Sequence, residues 1–448
     1  MEFQNQLARL CAQMKEHNEI DPEDYNRFDV KRGLRNADGT GVMAGLTKIC
    51  AVDGYYVKDG ERVPSPGKLY YRGYDVEDLV RGAAADNRFG YEETAWLLLF
   101  GALPTRDDLT MFREMLAAHR DLPESFVEDI LIKNPSPDIM NKMARSVLAL
   151  YAIDPRADDT GLENVLRQSV LLMAQLPAIM TYAYQVKRRA YYKKSMYLHQ
   201  MKPEHGTAQT ILRTIRADKR FTDEEAKLLD ICLVLHADHG GGNNSTFATR
   251  VLTSTGTDTY SALAAGLGSL KGPLHGGANA KVSQMLQYML EGIPDITDEG
   301  QVSDFLVKLL RREAGDHSGK IYGMGHAVYM ISDPRAELLR EYARDFAARA
   351  GYGAQFRLLE LVEQCAPEVF ARVKGSAKPL CANVDLYSGL IYTMLGIPGD
   401  LFTPVFALSR TAGWCAHRLE ELQTGGRIHR PAYKSVAGRK GYVGLEER

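Results

Sequence analysis

Apolar residues recur every three to four positions through most of the chain after residue 75. This spacing places them on one face of an α-helix, so it predicts a series of amphipathic helices. The clearest repeats are Ala95, Leu98, Leu99 and Ala102; Val282, Met285, Leu286 and Met289; and Leu386, Leu390, Ile391, Met394 and Leu395.

Strand signals are confined to the first 75 residues. Three short β-prone runs, at 41–52, 55–63 and 68–75, are separated by Gly, Pro and Asp-Gly turns. The pattern therefore predicts a mainly α protein with a small β-containing region near the N-terminus.

The composition excludes several classes of protein. The 448 residues are 45% hydrophobic and carry a formal net charge of -2, so the chain has no general attraction for nucleic acid or an anionic membrane. An anionic ligand must then be held by a local group of positive charges. The six cysteines show no CxxC spacing, which argues against a disulfide framework and against a cysteine zinc site. With no signal-peptide pattern and no run of eighteen apolar residues, we expect a cytoplasmic protein.

Common cofactor motifs are missing or fail. The segment 315–320 (GDHSGK) is one residue short of a phosphate-binding loop, and Ile321 follows it in place of Ser or Thr. Gly266 and Gly268 lie inside an apolar helical run and do not follow a strand, so a dinucleotide-binding motif is not indicated. We expect no metal and no redox cofactor.

Histidines beside glycines carry the most informative chemistry. They occur in LHADHGGGNNS (His236 and His239), GPLHGGAN (His275) and GMGHAVY (His326). Glycine permits close approach of the backbone to a ligand. His275 directly precedes a helical pattern, where the helix dipole favours a neutral imidazole that can donate a hydrogen bond to a developing enolate. Each histidine could equally be a structural residue, and His236 with His239 could bind a metal, although only Asp238 is near enough to complete such a site.

The C-terminal third adds a carboxylate and three arginines. Asp385 stands among apolar residues at the head of a helical pattern, where burial would raise its pKa and suit it to act as a base; a capping role is the alternative. Arg335, Arg410 and Arg430 could each bind a carboxylate through their planar guanidinium groups, or could form ordinary salt bridges.

Taken together, these segments resemble the citrate synthase family over nearly the whole chain. The matching motifs include KLYYRGYDVEDL, LHADHGGGNNS, GPLHGGAN, GMGHAVYMISDPR, NVDLYSGLIY, FTPVFALSRTAGWCAH and RIHRPAY. The resemblance implies an almost entirely helical fold of two domains that close over the substrates. It implies a large domain at 1–276, a small domain at 277–396, and a return to the large domain at 397–448.

The resemblance also implies roles for individual residues. His275 would hydrogen-bond the thioester oxygen of acetyl-CoA, Asp385 would remove the methyl proton, and His326 would polarise the ketone of oxaloacetate. The oxaloacetate pocket would be formed by His239, Asn243, Ser245, Arg335 and Arg410. Arg430 would reach the site of the neighbouring subunit, which makes the functional unit a homodimer. CoA would contact Gly323, Met324, Gly325, Lys378 and Asn383.

Some positions depart from the family pattern. Met330, Gly240, Ala280 and Met324 replace residues that are common in the family, and Met330 stands where a cation often contacts the CoA phosphates. Lys374, Lys378 or the basic run at 187–194 could supply that charge, although a solvated helix face is the favoured interpretation of the run.

Three other functions remain open at this stage. A 2-methylcitrate synthase would use the same residues with propionyl-CoA, and a single methylene group discriminates by only about 1–3 kcal/mol. A citryl-CoA lyase would run the chemistry in reverse. A non-catalytic regulator would bind CoA or citrate without turning them over.

Overall fold

The computed structural model describes residues 1–59, 61–375 and 379–448. Contacts within the chain divide it into two compact units. One unit consists of Met1–Gly45 with His429–Arg448, and the other consists of Leu46–Ile428. The predicted domain boundaries near residues 276 and 396 stay a prediction.

The unit formed by the two chain ends contains short helices and turns. Its helices are α1 (Glu2–His17) and α2 (Pro22–Arg27), with single 3₁₀ turns at Arg32–Leu34 and Leu445–Glu447. The carboxylate of Asp21 accepts a hydrogen bond from the Glu23 N–H at 2.9 Å and so caps the start of α2.

A three-stranded antiparallel sheet opens the larger unit. Its strands are β1 (Cys50–Lys58), β2 (Glu61–Tyr71) and β3 (Tyr74–Asp75), in the order β1-β2-β3. Arg72 and Gly73 join the last two strands with φ of 52° and 90°, as a tight hairpin turn with left-handed residues requires. The predicted β region is confirmed, but residues 42–49 lie outside the strands, so the first predicted run extends too far towards the N-terminus.

Helices make up most of the larger unit. They are α3 (Val76–Ala85), α4 (Tyr91–Phe100), α5 (Arg106–Ala118), α6 (Ile139–Tyr151), α7 (Leu162–Ala190), α8 (Thr207–Ile215), α9 (Asp223–His236), α10 (Asn244–Thr253), α11 (Thr259–Lys271), α12 (Ala278–Gly292), α13 (Glu299–Leu310), α14 (Pro334–Arg349), α15 (Gly353–Lys374), α16 (Asp385–Met394) and α17 (Phe402–Gln423), with a π-helical turn at Val127–Ile132 and a 3₁₀ turn at Gly399–Leu401. The mainly α prediction is confirmed, and the three apolar repeats lie in or at the ends of α4, α12 and α16.

Capping side chains fix where many of these helices begin. Thr105 and Thr222 form capping boxes with Asp108 and Glu225 at the starts of α5 and α9. Asp333 caps α14, and this aspartate also binds Arg335 in the first turn of the helix. Asp333 therefore fixes both the start of α14 and the position of the buried Arg335 side chain.

The core of the larger unit is organised around α17. This helix packs against α4, α7, α9, α10 and α11, and most of its residues are buried, as expected for a helix that is surrounded by others. Six polar side chains lie among its buried positions: Ser409, Arg410, Thr411, His417, Arg418 and Glu421. Because buried polar groups need hydrogen-bond partners or a bound ligand, these side chains make α17 a candidate wall of a binding site. Within the described ranges, every helix is too short or too polar to span a bilayer.

Candidate active site

His239 marks the place where most of the predicted site residues converge. It follows α9, and Gly240 with φ of 83° turns the chain towards α10. Burial lowers the pKa of this imidazole well below its usual value. Four nearby positive or protonatable groups lower it further: Arg335, His326, Arg410 and His275. The structure thus brings together residues that are up to 171 positions apart in the sequence, between His239 and Arg410.

His275 lies in a tight turn directly before α12. The turn is closed by a 2.9 Å hydrogen bond from the His275 N–H to the Gly272 carbonyl. Gly276 is required next, because a Cβ there would stand 2.1 Å from the Leu270 carbonyl oxygen. Burial, assisted by the charge of Arg410, lowers the pKa of His275 to about 4, so the ring is neutral at physiological pH.

The tautomer of His275 follows from its contact with Ser245. The backbone N–H of Ser245 donates to Nε2 of the imidazole at 3.3 Å, and the Ser245 Oγ lies 3.1 Å from the same nitrogen. A nitrogen that accepts a hydrogen bond carries no hydrogen, so a neutral ring has its hydrogen on Nδ1. His275 can therefore donate one hydrogen bond from Nδ1.

His326 is held in the opposite tautomer. Its Nδ1 accepts hydrogen bonds from the N–H groups of Val328 and Tyr329, both at 3.0 Å. A neutral His326 ring therefore carries its hydrogen on Nε2. The ring lies edge-on to His239, with their centroids 5.0 Å apart, so the two imidazoles share one cleft.

Asp385 begins α16 with its carboxylate in an apolar setting. Burial raises its pKa to about 6, although Arg335 and Arg410 oppose that shift. A carboxylate with this pKa is a stronger base than a solvated one and is still ionised at neutral pH. The predicted raised pKa is found, and its cause is burial as expected.

A short two-stranded contact connects the loop of His326 with the helix of Asp385. Gly325 N–H donates to the Cys381 carbonyl at 2.7 Å, and Asn383 N–H donates to the Gly323 carbonyl at 2.9 Å. The Asn383 side chain donates to the Gly325 carbonyl at 2.9 Å and accepts from the Asp385 N–H at 3.0 Å. Asn383 therefore orients the base and the histidine loop together.

Arg335 is buried and paired through one edge of its guanidinium group. Asp333 accepts from Nε at 3.0 Å and from Nη2 at 2.7 Å, a bidentate arrangement. Burial alone would lower the pKa of Arg335, but the Asp333 carboxylate outweighs it and raises that pKa. The pair fixes the guanidinium in a single orientation.

Arg410 differs from Arg335 because two of its three guanidinium nitrogens lack a hydrogen-bond partner in the part of the chain that the structure describes. Its side chain is fully buried, and Nε donates to the His236 carbonyl at 2.6 Å. Nη1 and Nη2 find no hydrogen-bond partner among the described residues. A buried guanidinium with two unpartnered nitrogens is costly, and an anionic ligand would compensate that cost.

Asn243 and Ser245, the two residues predicted to line the oxaloacetate pocket, lie at the start of α10. The Ser245 hydroxyl donates to the Asn243 Oδ1 at 3.0 Å and accepts from the Trp414 indole N–H at 3.2 Å. These bonds tie α10 to α17 beside His275.

The sequence did not reveal the role of Asp238. Its carboxylate lies 3.1 Å from Nε2 of His417, and both side chains are fully buried. Burial would raise the pKa of Asp238, but His417 and Arg410 outweigh it and hold that pKa at about 2. Arg250 donates to the other ring nitrogen of His417, from Nε at 3.1 Å. The sequence signal for Asp238 is its position just before His239 and three glycines. Its partner His417 is 179 residues away and could not be inferred from that segment.

His236 is not arranged like a metal ligand. Its ring is fully buried against Phe406, with centroids 4.2 Å apart, and its pKa is depressed first by burial and then by Arg335 and Arg410. Among the residues that the structure describes, no three His, Cys, Asp or Glu side chains form a group that could hold a metal ion.

A cavity of about 300 Å³ lies beside the His326 loop. Its lining includes Gly323, Met324 and Asn383 from the predicted CoA set, together with two lysines that the sequence did not single out, Lys281 and Lys320. Lys320 is exposed, whereas Lys281 is paired with Asp316 at 3.2 Å. Gly325 is not among the lining residues of this cavity.

Further predictions concern the basic residues Arg430, Lys378 and Lys374 and the run at 187–194. Arg430 is exposed and belongs to the unit formed by the chain ends, while Lys378 lies outside the described residues. Lys374 contacts the Leu310 carbonyl at 3.5 Å. Lys187, within the basic run, is buried and pairs with Asp400 at 2.7 Å, so that position is not part of a solvated face.

Known proteins match this chain along most of its length. The family model described as citrate synthase, C-terminal domain, matches residues 36–432. The citrate synthase of Haloferax volcanii is 34% identical over 411 residues, covering 90% of this chain and 94% of the relative. The 2-methylcitrate synthase of Shewanella oneidensis is 32% identical over 384 residues, covering 83% of this chain and 90% of the relative.

The fold is shared as well. The solved structure of citrate synthase from Thermoplasma acidophilum, a ternary complex with carboxymethyl coenzyme A and oxaloacetate, superposes with a TM-score of 0.74 at 27% identity. That match covers 94% of this chain and 99% of the solved one. By sequence and by fold, this chain belongs to the citrate synthase family, whose members are acyltransferases.

Proposed function

We propose that this enzyme condenses acetyl-CoA with oxaloacetate and then hydrolyses citryl-CoA to citrate and CoA. The observation that carries the proposal is the unmatched, fully buried guanidinium of Arg410 in the same cleft as three histidines and a carboxylate of raised pKa. Such a cleft fits a small anion that must be held while a neighbouring carbon loses a proton.

Oxaloacetate would be held by its two carboxylates. One would pair with Nη1 and Nη2 of Arg410 and so satisfy these two donors. Arg335, held by Asp333, and Nε2 of His239 supply further donors or polar contacts in the cleft. The relative from Thermoplasma acidophilum was solved with oxaloacetate, which supports this choice of substrate.

Asp385 and His275 would act together on the methyl group of acetyl-CoA. Asp385 would take a proton from the methyl carbon, the electron pair of that C–H bond would form the C=C bond of an enolate, and the C=O π pair would move to the thioester oxygen. Nδ1 of His275 would donate a hydrogen bond to the thioester oxygen as negative charge develops there. Because the imidazole is neutral, the charge is shared without complete transfer of a proton.

His326 would act on the ketone. The enolate carbon would attack the ketone carbon, the π electron pair of the ketone would move to the ketone oxygen, and the hydrogen on Nε2 of His326 would stabilise or protonate that oxygen. Water then cleaves the thioester of citryl-CoA, which releases citrate and the CoA thiol. No step requires a redox cofactor or a metal, and CoA takes part as a substrate.

CoA would occupy the cavity beside the His326 loop. Gly323 and Met324 line this cavity, and Lys281 and Lys320 would provide positive charge for the phosphates. Gly325 and Lys378 remain predicted contacts of CoA, and Arg430 remains a predicted contact of oxaloacetate or citrate. We also propose a homodimer in which Arg430 completes the partner site, because this exposed arginine would add a third guanidinium for the citrate carboxylates.

The family places this reaction in the tricarboxylic acid cycle. We propose a cytoplasmic location, since all six cysteines are free thiols and five of them are buried, a state that a reducing compartment preserves.

A 2-methylcitrate synthase is the second candidate, because a 2-methylcitrate synthase is among the relatives at 32% identity. Release of the CoA thiol in the presence of oxaloacetate tests both functions. We expect a higher kcat/KM with acetyl-CoA than with propionyl-CoA. The reverse order would assign the second function, and no thiol release from a folded protein would overturn both.

A further inference from the structure

The three-stranded sheet lies against the segment that carries His326 and Arg335. Gly54 of β1 and Gly67 of β2 lie at this contact. A Cβ on Gly54 would stand 2.6 Å from the Val328 carbonyl oxygen and 2.8 Å from the Cα of Tyr329. A Cβ on Gly67 would stand 2.1 Å from the Ser332 carbonyl oxygen and 2.7 Å from Cδ1 of the Tyr329 ring. Real Cβ atoms do not approach backbone this closely, so only glycine permits the contact.

The sheet is shaped for this approach. The β1–β2 register shifts between Asp53 and Tyr55, which places a bulge at Gly54. Bulges and glycines within strands often mark a place where another backbone comes close. Gly67 also donates its N–H to the hydroxyl of Ser332 at 3.3 Å, which adds a directed bond to the packing.

Tyr329 links this contact to the chemistry. Its side chain is 2% exposed, and its ring lies between the sheet and the site. The ring centroid is 4.5 Å from that of His326 and 5.6 Å from that of His239, and the guanidinium carbon of Arg335 lies 5.7 Å from it. The Tyr329 N–H also fixes the tautomer of His326. A shift of Tyr329 would therefore move three groups that face the ketone and carboxylates of oxaloacetate.

We propose that Gly54 and Gly67 are positioning residues for the oxaloacetate half of the site, acting through the backbone at 328–332 and the ring of Tyr329. The inference rests on the proposed function, since it assigns these groups to oxaloacetate. The effect should be confined to oxaloacetate, because neither glycine nor Tyr329 lines the cavity proposed for CoA.

The test compares steady-state kinetics of Gly67→Ala and Gly54→Ala with those of the wild type. Gly82→Ala is the matched control, because Gly82 lies in α3 and its added Cβ would meet no atom within 4 Å beyond its chain neighbours and its own helix backbone. We expect each sheet variant to raise the KM for oxaloacetate by about tenfold or more, because small displacements of bound groups are costly. The KM for acetyl-CoA should stay within about twofold, as for a substitution remote from its site. A general loss of stability would not raise the KM for oxaloacetate while leaving the KM for acetyl-CoA unchanged.

Ser332→Ala provides a milder second variant that removes the hydroxyl and adds no atoms. It should raise the KM for oxaloacetate by a smaller factor, about two- to fivefold, as expected for one lost neutral hydrogen bond. If Gly67→Ala does not fold, Gly54→Ala and Ser332→Ala decide the question. Folded variants with an unchanged KM for oxaloacetate, or with both KM values raised equally, would overturn the inference. Lack of thiol release by the wild type would instead overturn the proposed function.

Discussion

The backbone N–H of Ser245 donates a 3.3 Å hydrogen bond to Nε2 of His275. This contact assigns the hydrogen of the neutral ring to Nδ1, the nitrogen proposed to face the thioester oxygen. Ser245 also accepts a bond from Trp414, so α17 supports the arrangement from behind.

Replacing His275 with Ala should lower kcat by about 10²- to 10³-fold, the usual loss on removing a donor to a developing oxyanion. Steady-state thiol release measures this effect. Ser245→Ala is the control: it keeps the backbone N–H that fixes the tautomer, so its kcat should fall far less. Equal losses in the two variants would contradict the role assigned to the Nδ1 hydrogen.

The pH dependence of the reaction should reveal Asp385. Its pKa is raised to about 6, and the base acts only when ionised. The kcat/KM for acetyl-CoA should therefore fall as the pH drops through about 6, while His275, with a pKa of about 4, stays neutral over that range. A profile that is flat from pH 5 to pH 8 would show that no group of raised pKa limits the reaction.

Arg410 and Arg418 are both fully buried on α17, yet their substitution should have different effects on stability. Arg418 donates to Thr253 at 3.1 Å and to the Thr257 carbonyl at 2.8 Å, so Arg418→Gln should lower the melting temperature. Two nitrogens of Arg410 lack partners, so Arg410→Gln should leave the melting temperature of the ligand-free protein unchanged or raised.

The same Arg410→Gln protein should bind oxaloacetate at least about 100-fold more weakly, because a charged hydrogen bond pair to a carboxylate is lost. Calorimetric titration with oxaloacetate measures the affinity and differential scanning calorimetry measures the stability. Tight binding by Arg410→Gln would show that the unmatched charge serves another ligand.

Lys320 offers a test of the CoA cavity. Lys320→Ala should raise the KM for acetyl-CoA about five- to tenfold, the cost of one charge-assisted contact to phosphate, and should leave the KM for oxaloacetate unchanged. Lys308→Ala is a suitable control, since Lys308 is exposed on α13 and is absent from the cavity lining. If both variants match the wild type, the phosphates bind elsewhere.

The sequence predicted the features that depend on residues close together in the chain. The helices α4, α12 and α16 follow from apolar spacing, and Asp385 was recognised because its neighbours are apolar. The run at 42–49 was wrongly assigned to a strand, because β propensity alone does not supply a pairing partner. In the structure, strand β1 begins at Cys50, which pairs with Tyr71 of β2.

Long-range contacts explain what the sequence did not predict. Asp238 was considered as a possible metal ligand, but its partner His417 comes from α17. The contact of Gly67 with Tyr329 joins positions that are 262 apart, and no local pattern announces it. Contacts between such distant positions depend on the tertiary packing of the helices and the sheet, so they can be identified only in the folded structure.

The central claim is that Asp385 removes the methyl proton of acetyl-CoA, and the direct test is thiol release by Asp385→Asn. The amide has nearly the shape of the carboxylate but cannot act as a base, so kcat should fall by about 10²- to 10⁴-fold. Affinity for oxaloacetate should be largely kept. The folded variant should also be at least as stable as the wild type above pH 6, because it no longer buries an ionised carboxylate, and this difference should vanish below pH 4, where both side chains are neutral. An Asp385→Asn enzyme that releases thiol at nearly the wild-type rate would contradict the account.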